Sequence, residues 1–248
     1  MDIAKAFGYI SEDENWYKKL GIGVGVFIVP ILNFALAGYI FQLMRNVRNG
    51  EKRPLPEWSD LSRYLTDGLR MFVVMLIYSL PILIIYGIAM AIFFSQMLSS
   101  EFAASSTGGP PSIDQAPAFI AIWGIMAACV MPYSLLLQVM TPMFAMQLVR
   151  EGTIKSCFEY KEMWQILKTN IWDYVIILGL TLGLYLVSSI VLIPAYLFFF
   201  IPCIGTIIGM ALMGAVSILI IFVVGHLLGQ FMAKHDAKQP PATEFGIV

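Results

Sequence analysis

The sequence is short of charge. Lys, Arg, Asp and Glu make up 12% of its 248 residues, where a soluble domain carries about 25%. A water-facing surface needs more than this, so a soluble enzyme, a nucleic-acid binder and a disordered chain are poor readings. Within the apolar stretches Asp, Glu, Lys and Arg are absent altogether. A charged residue inside the membrane is the usual mark of an ion or proton pathway, and its absence weighs against a coupled transporter built on carboxylates. Cysteine is scarce too: Cys129, Cys157 and Cys203, with no CxxC, and only two histidines. Neither a disulfide nor a zinc site is expected, and the cysteines read as small apolar residues. HExxH, a P-loop, an intramembrane aspartate and a membrane Ser/His pair are all missing. No catalytic, cofactor-binding or metal-ligating residue is therefore expected. A cleavable signal peptide is not expected either, because Asp2, Glu12, Asp13 and Glu14 occupy the first 19 residues.

What is present is apolar. Hydrophobic residues make up 59% of the chain and mean hydropathy is +0.80. About 20 apolar residues cross hydrocarbon near 30 Å thick. Charge clears away in four blocks: Leu20 to Met44, Met71 to Ser100, Ala116 to Val149, and Tyr174 to Ala233. The last is too long for one helix and divides at Pro202-Cys203-Ile204-Gly205. The spans are thus expected near 20–44, 71–98, 117–149, 174–201 and 206–233. Residues 1–19 form a polar lead-in and 234–248 a tail.

Basic residues orient these spans. Arg45–Arg70 holds Arg45, Arg48, Lys52, Arg53, Arg63 and Arg70; Arg150–Asp173 holds Arg150, Lys155, Lys161 and Lys168; Ser99–Gln115 holds none. The positive-inside rule puts the two basic loops and the C-terminus in the cytoplasm of a cell membrane. For 20–44, block length favours one span. Charge placement favours a shallow hairpin broken at Pro30, which brings all 15 basic residues to one side. The hairpin, with a cytoplasmic N-terminus, is the reading adopted.

The chain also resembles itself. Gln42-Leu43-Met44-Arg45 matches Gln147-Leu148-Val149-Arg150, with a looser Gln230-Phe231-Met232-Ala233-Lys234. Trp58, Leu61, Leu65 and Asp67 share their spacing with Trp164, Leu167, Ile171 and Asp173. Positions 0, +3 and +7 share a helix face. Both segments read as amphipathic helices lying in the headgroup layer before a span rises. The expected fold is an all-α polytopic transmembrane bundle: three parallel-repeat helical hairpins, the first shortened, plus two interfacial helices.

A family resemblance accompanies this pattern. Its residues are Phe7-Gly8-Tyr9, Glu12-Asp13-Glu14-Asn15-Trp16, Pro30-Ile31, Gly38-Tyr39, Arg45, Gly50, Pro54-Leu55-Pro56-Glu57-Trp58, Asp60 and Asp67-Gly68-Leu69. The run resembles an uncharacterised prokaryotic membrane family, domain of unknown function 4013. The resemblance is dense over 7–70 and thins to hydropathy beyond. It implies a multi-spanning helical membrane protein and no activity. The chain is also distantly similar to the six-helix membrane domain attached to some glycerophosphodiester phosphodiesterases, whose catalytic domain has no counterpart here.

The candidates for ligand or lipid contact are few. His226 is the one histidine within a span, with Gln230 at i+4 on the same face. Gln138 and Thr141 sit mid-span near Pro132 and Pro142, where the helix is expected to kink or break. Asn33 lies at the break of the first block. Asp67 and Asp173 hold matching repeat positions, as first-turn acids or headgroup ligands. Trp58 and Trp164 belong to the interfacial belt. The spacings Gly179-x3-Gly183, Gly205-x3-Gly209 and Gly225-x3-Gly229 allow close helix contact, inside the bundle or with a second copy. Membrane lipids, and a membrane protein partner or homo-oligomer, are the expected partners. The leading function is a non-catalytic protein working through such contacts; a facilitative transporter or channel comes second and an intramembrane enzyme third.

Overall fold

A computed structural model describes residues 1–107, 116–201 and 204–237. The remaining residues include 108–115 of the Ser/Gly/Pro loop, Pro202 and Cys203 of the turn in the last block, and the tail from Lys238. Expectations about those segments therefore lie outside the described residues. The described chain is helical throughout, with no strand among its elements.

Helix α1 (Ile3–Glu12) starts where the Asp2 carboxylate accepts from the Lys5 N–H at 2.9 Å. Helix α2 (Trp16–Ile28) stops before Val29-Pro30, with Val29 extended, the conformation favoured before proline. Helix α3 (Phe34–Arg48) ends at Asn49 and Gly50, and Gly50 has φ +74°. The first apolar block is thus two helices of 13 and 15 residues.

Among the described residues, four helices are long and apolar enough to cross a membrane, over Leu61–Ser99, Met126–Glu151, Ile171–Val191 and Ile204–Asp236. The chain is a multi-span all-α membrane protein.

Three local expectations are corrected. No separate interfacial helix carries Trp58 and Asp67. Asp60 accepts from the Arg63 N–H at 3.2 Å, and α4 (Leu61–Thr107) runs on from there without interruption. Trp58 precedes it, and nothing between Leu61 and Pro81 can stop a helix. The third block does not break either. Helix α5 (Ala116–Glu151) passes through Pro132 and Pro142, a tolerance that helix-to-carbonyl side-chain bonds give to membrane prolines. The ascending leg of the last block, expected over 174–201, divides instead. Helix α7 (Ile171–Val191) gives way to the short α8 (Ile193–Phe198) because Pro194 starts a new helix. The Trp164 segment does form its own amphipathic helix, α6 (Tyr160–Thr169), with Met163 and Ile166 buried. Helix α9 (Ile204–Asp236) closes the described chain.

The chain forms two compact units, one of Met1–Val73 with Pro142–Val248 and one of Val74–Thr141. In the first, α2 and α3 pack on α9. Tyr9, Leu36, Tyr39, Leu43, Tyr64, Ile218 and Phe222 share its core. Lipid tails are as apolar as these side chains, so helix association depends on close packing, and glycine provides it. A Cβ on Gly38 would stand 2.0 Å from the Tyr64 carbonyl oxygen; one on Gly68 would stand 1.7 Å from that of Phe34. The α3–α4 crossing is therefore backbone against backbone. Gly225 and Gly229 admit Leu43 and Val47 of α3, and Gly205 admits the Phe198 carbonyl. By contrast, Gly179 and Gly183 have nothing within 4 Å of a built Cβ.

In the second unit, Tyr133 donates to the Tyr78 carbonyl at 2.8 Å. Leu83, Ile84, Ile88, Leu135 and Leu136 are exposed there, a surface suited to lipid.

Candidate functional site

Two polar constructions occupy the first unit. One is built on Pro54-Leu55-Pro56-Glu57. Two prolines in four residues leave carbonyls without a ladder to join. Each carbonyl instead accepts from a different side chain: Pro54 from Asn46 at 2.9 Å, Leu55 from Lys19 at 2.8 Å, Pro56 from Tyr39 at 2.8 Å and Glu57 from Tyr64 at 2.7 Å. Trp58 then donates its indole N–H to the Lys19 carbonyl at 2.9 Å and stacks on Tyr39 at 4.3 Å.

Lys19 is 4% exposed. It meets the carboxylates of Asp13 and Glu57, each at 2.8 Å. Burial pushes the Asp13 carboxyl up, but the Lys19 hydrogen bond, the Asn15 N–H and the charges of Lys19 and Arg53 together hold it below its ordinary value. This loop is a structural clamp, with all four of its carbonyls engaged in holding it.

The second construction lies between α1, the loop after α3 and the end of α9. The Tyr9 ring stacks on the His226 ring at 4.3 Å, and its hydroxyl donates to the Phe222 carbonyl at 3.0 Å. Burial pushes the Tyr9 phenol up, which keeps that donor protonated. Gln230 clasps the backbone of Asp2 from both sides. Its Oε1 accepts from the Asp2 N–H at 2.7 Å, and its Nε2 donates to the Asp2 carbonyl at 2.9 Å. The first bond fixes which end of the amide is oxygen. Nε2, a donor only, also lies 3.0 Å from His226 Nδ1. Nδ1 therefore accepts, and the ring proton sits on Nε2.

His226 is 3% exposed. With Gln230 it lines a cavity of about 330 Å³, together with Lys5, Glu12, Glu51 and Lys52. Sequence reasoning pairs His226 with Gln230 but does not reach the other four. They come from α1 and the loop after α3, and no local spacing ties those segments to α9.

The remaining candidates do not gather there. Asp67, buried in the first unit, accepts from Arg45 at 2.8 Å and Arg70 at 2.9 Å. Asp173 pairs with Lys234. Equal repeat positions thus hold unequal partners. Trp164 is exposed with Lys168 5.2 Å over its ring, whereas Trp58 is stacked into the clamp. Gln147 is 1% exposed and neither end of its amide meets a partner among the described residues, while Gln42, its repeat counterpart, donates to Asn46 at 2.8 Å. Asn33 and Gln138 are exposed. Thr141 bonds back to the Leu137 carbonyl at 2.8 Å. Neither this cavity nor a second of about 340 Å³ beside Asn46 and Arg63 includes Asn33, Gln138 or Thr141.

Glu151, Glu159 and Glu162 bring carboxylate oxygens within 4.8 Å of one another. Arg150, 3.3 Å from Glu162, supplies positive charge to that group. Sequence spacing does not single them out, because they meet across the bend between α5 and α6. Cys157 lies in the same bend, buried, its thiol pushed up to about 11 by burial.

Helices of this length and hydropathy, with their ionisable residues gathered in polar constructions, define a polytopic helical membrane protein. The chain belongs to the family of proteins of unknown function designated DUF4013, whose pattern matches residues 22–197. That match starts after the Phe7-Gly8-Tyr9 and Glu12–Trp16 runs and extends well past residue 70, where the resemblance thins to hydropathy. No curated protein and no solved structure matches the chain.

Proposed function

We propose that this protein is non-catalytic and works through contacts with lipid or a partner membrane protein. One observation carries the reading. Span hydroxyls turn back onto their own helices: Ser79 to the Met75 carbonyl at 2.6 Å, Thr141 to Leu137 at 2.8 Å, Thr181 to Ile177 at 2.7 Å and Ser189 to Leu186 at 2.7 Å. Hydroxyls satisfied in this way offer little to a passing solute. Glycine contacts that close α3 onto α4 and α9 support the same view, and the open Gly179/Gly183 face leaves room for a partner helix.

The test is purification in mild detergent followed by reconstitution. Lipid or a protein partner should be recovered consistently, and liposomes should show no solute flux above protein-free controls. Recovery of neither, together with flux, overturns the reading in favour of a facilitative transporter or channel.

The shortened first hairpin and the threefold repeat belong to the same proposal. Asp2 bonded to Gln230, and Arg48 paired with Asp236 at 2.6 Å, favour an N-terminus on the same side as the end of α9. The basic loops make that side cytoplasmic. Accessibility reporters fused before residue 1 and after Val248 should report the same side. Opposite sides overturn both the hairpin and the repeat.

A further inference from the structure

We infer that the cavity under α1 binds a phosphate–ammonium zwitterion, the chemistry of a phosphoethanolamine headgroup. This rests on the lipid reading above and names the class of lipid.

Charge is the first support. Lys5 and Lys52 line the cavity with Asp2, Glu12 and Glu51; the Asp2 carboxylate caps α1, and none of the other four forms an ion pair with a described residue. Opposite charges that face one space without closing on each other leave a place for an anion and a place for a cation.

His226 is the second support. Gln230 holds its Nδ1 at 3.0 Å, so the ring N–H that remains is Nε2–H, on a side chain that lines this same cavity. A ring N–H in the same cavity lining as two ammonium groups makes a donor set suited to phosphate oxygens. Glu12 and Glu51 supply acceptors for a primary ammonium, which has three N–H donors.

Size and depth agree. A cavity of about 330 Å³ equals roughly ten water volumes at about 30 Å³ each, enough for a headgroup and too small for acyl chains. His226 stands eight residues before Lys234, about 12 Å along α9 from its charged end, within reach of the headgroup layer. Ile3 and Phe7, exposed on α1, provide apolar surface for the chains. A choline headgroup has no N–H for the two glutamates, and a glycerol headgroup has no cation.

The full chain in maltoside micelles is mixed with equimolar phosphatidylethanolamine, phosphatidylcholine and phosphatidylglycerol of matched acyl chains. Retained lipid is read by native mass spectrometry. Phosphatidylethanolamine should be retained over each of the others on the order of tenfold. Glu51→Gln and Lys52→Ala, at exposed positions, should each remove that preference while leaving the unfolding midpoint unchanged. Free phosphoethanolamine added as competitor should displace the lipid. Binding of free phosphoethanolamine without retention of the lipid keeps the site's chemistry and makes its source a soluble zwitterion. Equal retention of all three lipids, insensitive to both substitutions and to the competitor, overturns this inference and leaves the broader lipid reading standing. Retention of no lipid, together with solute flux, removes the broader reading itself.

Discussion

Gly68→Ala should destabilise the protein by ~3 kcal/mol, near the upper end for overpacking. The new Cβ would lie 1.7 Å from the Phe34 carbonyl oxygen and 2.6 Å from its carbonyl carbon. These are backbone atoms of α3, so no side chain can rotate away to make room. Either α3 moves off α4 or the crossing is lost. Gly38→Ala meets the same obstacle from the other helix, 2.0 Å from the Tyr64 carbonyl oxygen. Gly87→Ala is the control, because nothing lies within 4 Å of a Cβ there. Alanine is the better helix former by about 1 kcal/mol, so the control should be neutral or mildly stabilising. Unfolding in mixed micelles, followed by far-UV circular dichroism against added SDS, measures all three. Equal midpoints for Gly68→Ala and Gly87→Ala would refute the close crossing.

Lys19→Met has the second large effect. It retains a long apolar side chain but removes the charge that meets Asp13 and Glu57. Breaking a buried pair from one side costs about 3–5 kcal/mol, because the remaining charge stays desolvated. Glu57 is largely exposed and water can accommodate it; Asp13 has a side-chain exposure of 8% and carries most of the loss. The Leu55 carbonyl also loses its donor.

The pH dependence should change direction. In the native protein the Asp13 carboxyl is held below its ordinary value. Its contribution is therefore complete above the ordinary carboxylate range near pH 4 and is lost as pH falls through the folded value. In Lys19→Met the burial that pushes the carboxyl up is no longer opposed by the ammonium. Only the Asn15 N–H and the Arg53 charge then oppose it, so the folded carboxyl rises and the variant should recover part of its deficit as pH is lowered from 7 toward 5. A deficit constant across that range would show that Asp13 is not the group left unpaired.

Much of the architecture was legible from hydropathy. A helix that satisfies its own backbone and shows an apolar surface to lipid needs few tertiary partners to declare itself. Hence four apolar blocks indicated a helical multi-span protein. The proline rules served less well. Pro30 separates α2 from α3, and Pro194 separates α7 from α8, but Pro132 and Pro142 lie within a continuous helix. Proline alters one turn, and whether the helix stops there depends on what satisfies the freed carbonyl. Repeat spacing served less well again. Trp58 and Trp164 have matching sequence neighbours, yet one is stacked into a clamp and the other is exposed, because spacing fixes a helix face and not what faces it.

The site was legible only in part. His226 and Gln230 lie one turn apart on a single helix, so their contact follows from helical geometry alone. Lys5, Glu12, Glu51 and Lys52 join them through chain separations that no periodicity records. The same division holds for the resemblance motif. Gly38, Gly68 and Pro54-Leu55-Pro56-Glu57 stood out as unusual in order and spacing. Only the packed chain turns the glycines into one helix crossing and gives each of four carbonyls its own donor. By itself, the sequence determined the solvent this protein folds in and that its apolar blocks are helical, since apolar length and backbone satisfaction are properties of short stretches. Tertiary structure decided which charges neutralise each other and which are left facing a cavity, because ion pairing and burial depend on distances between segments far apart in the chain.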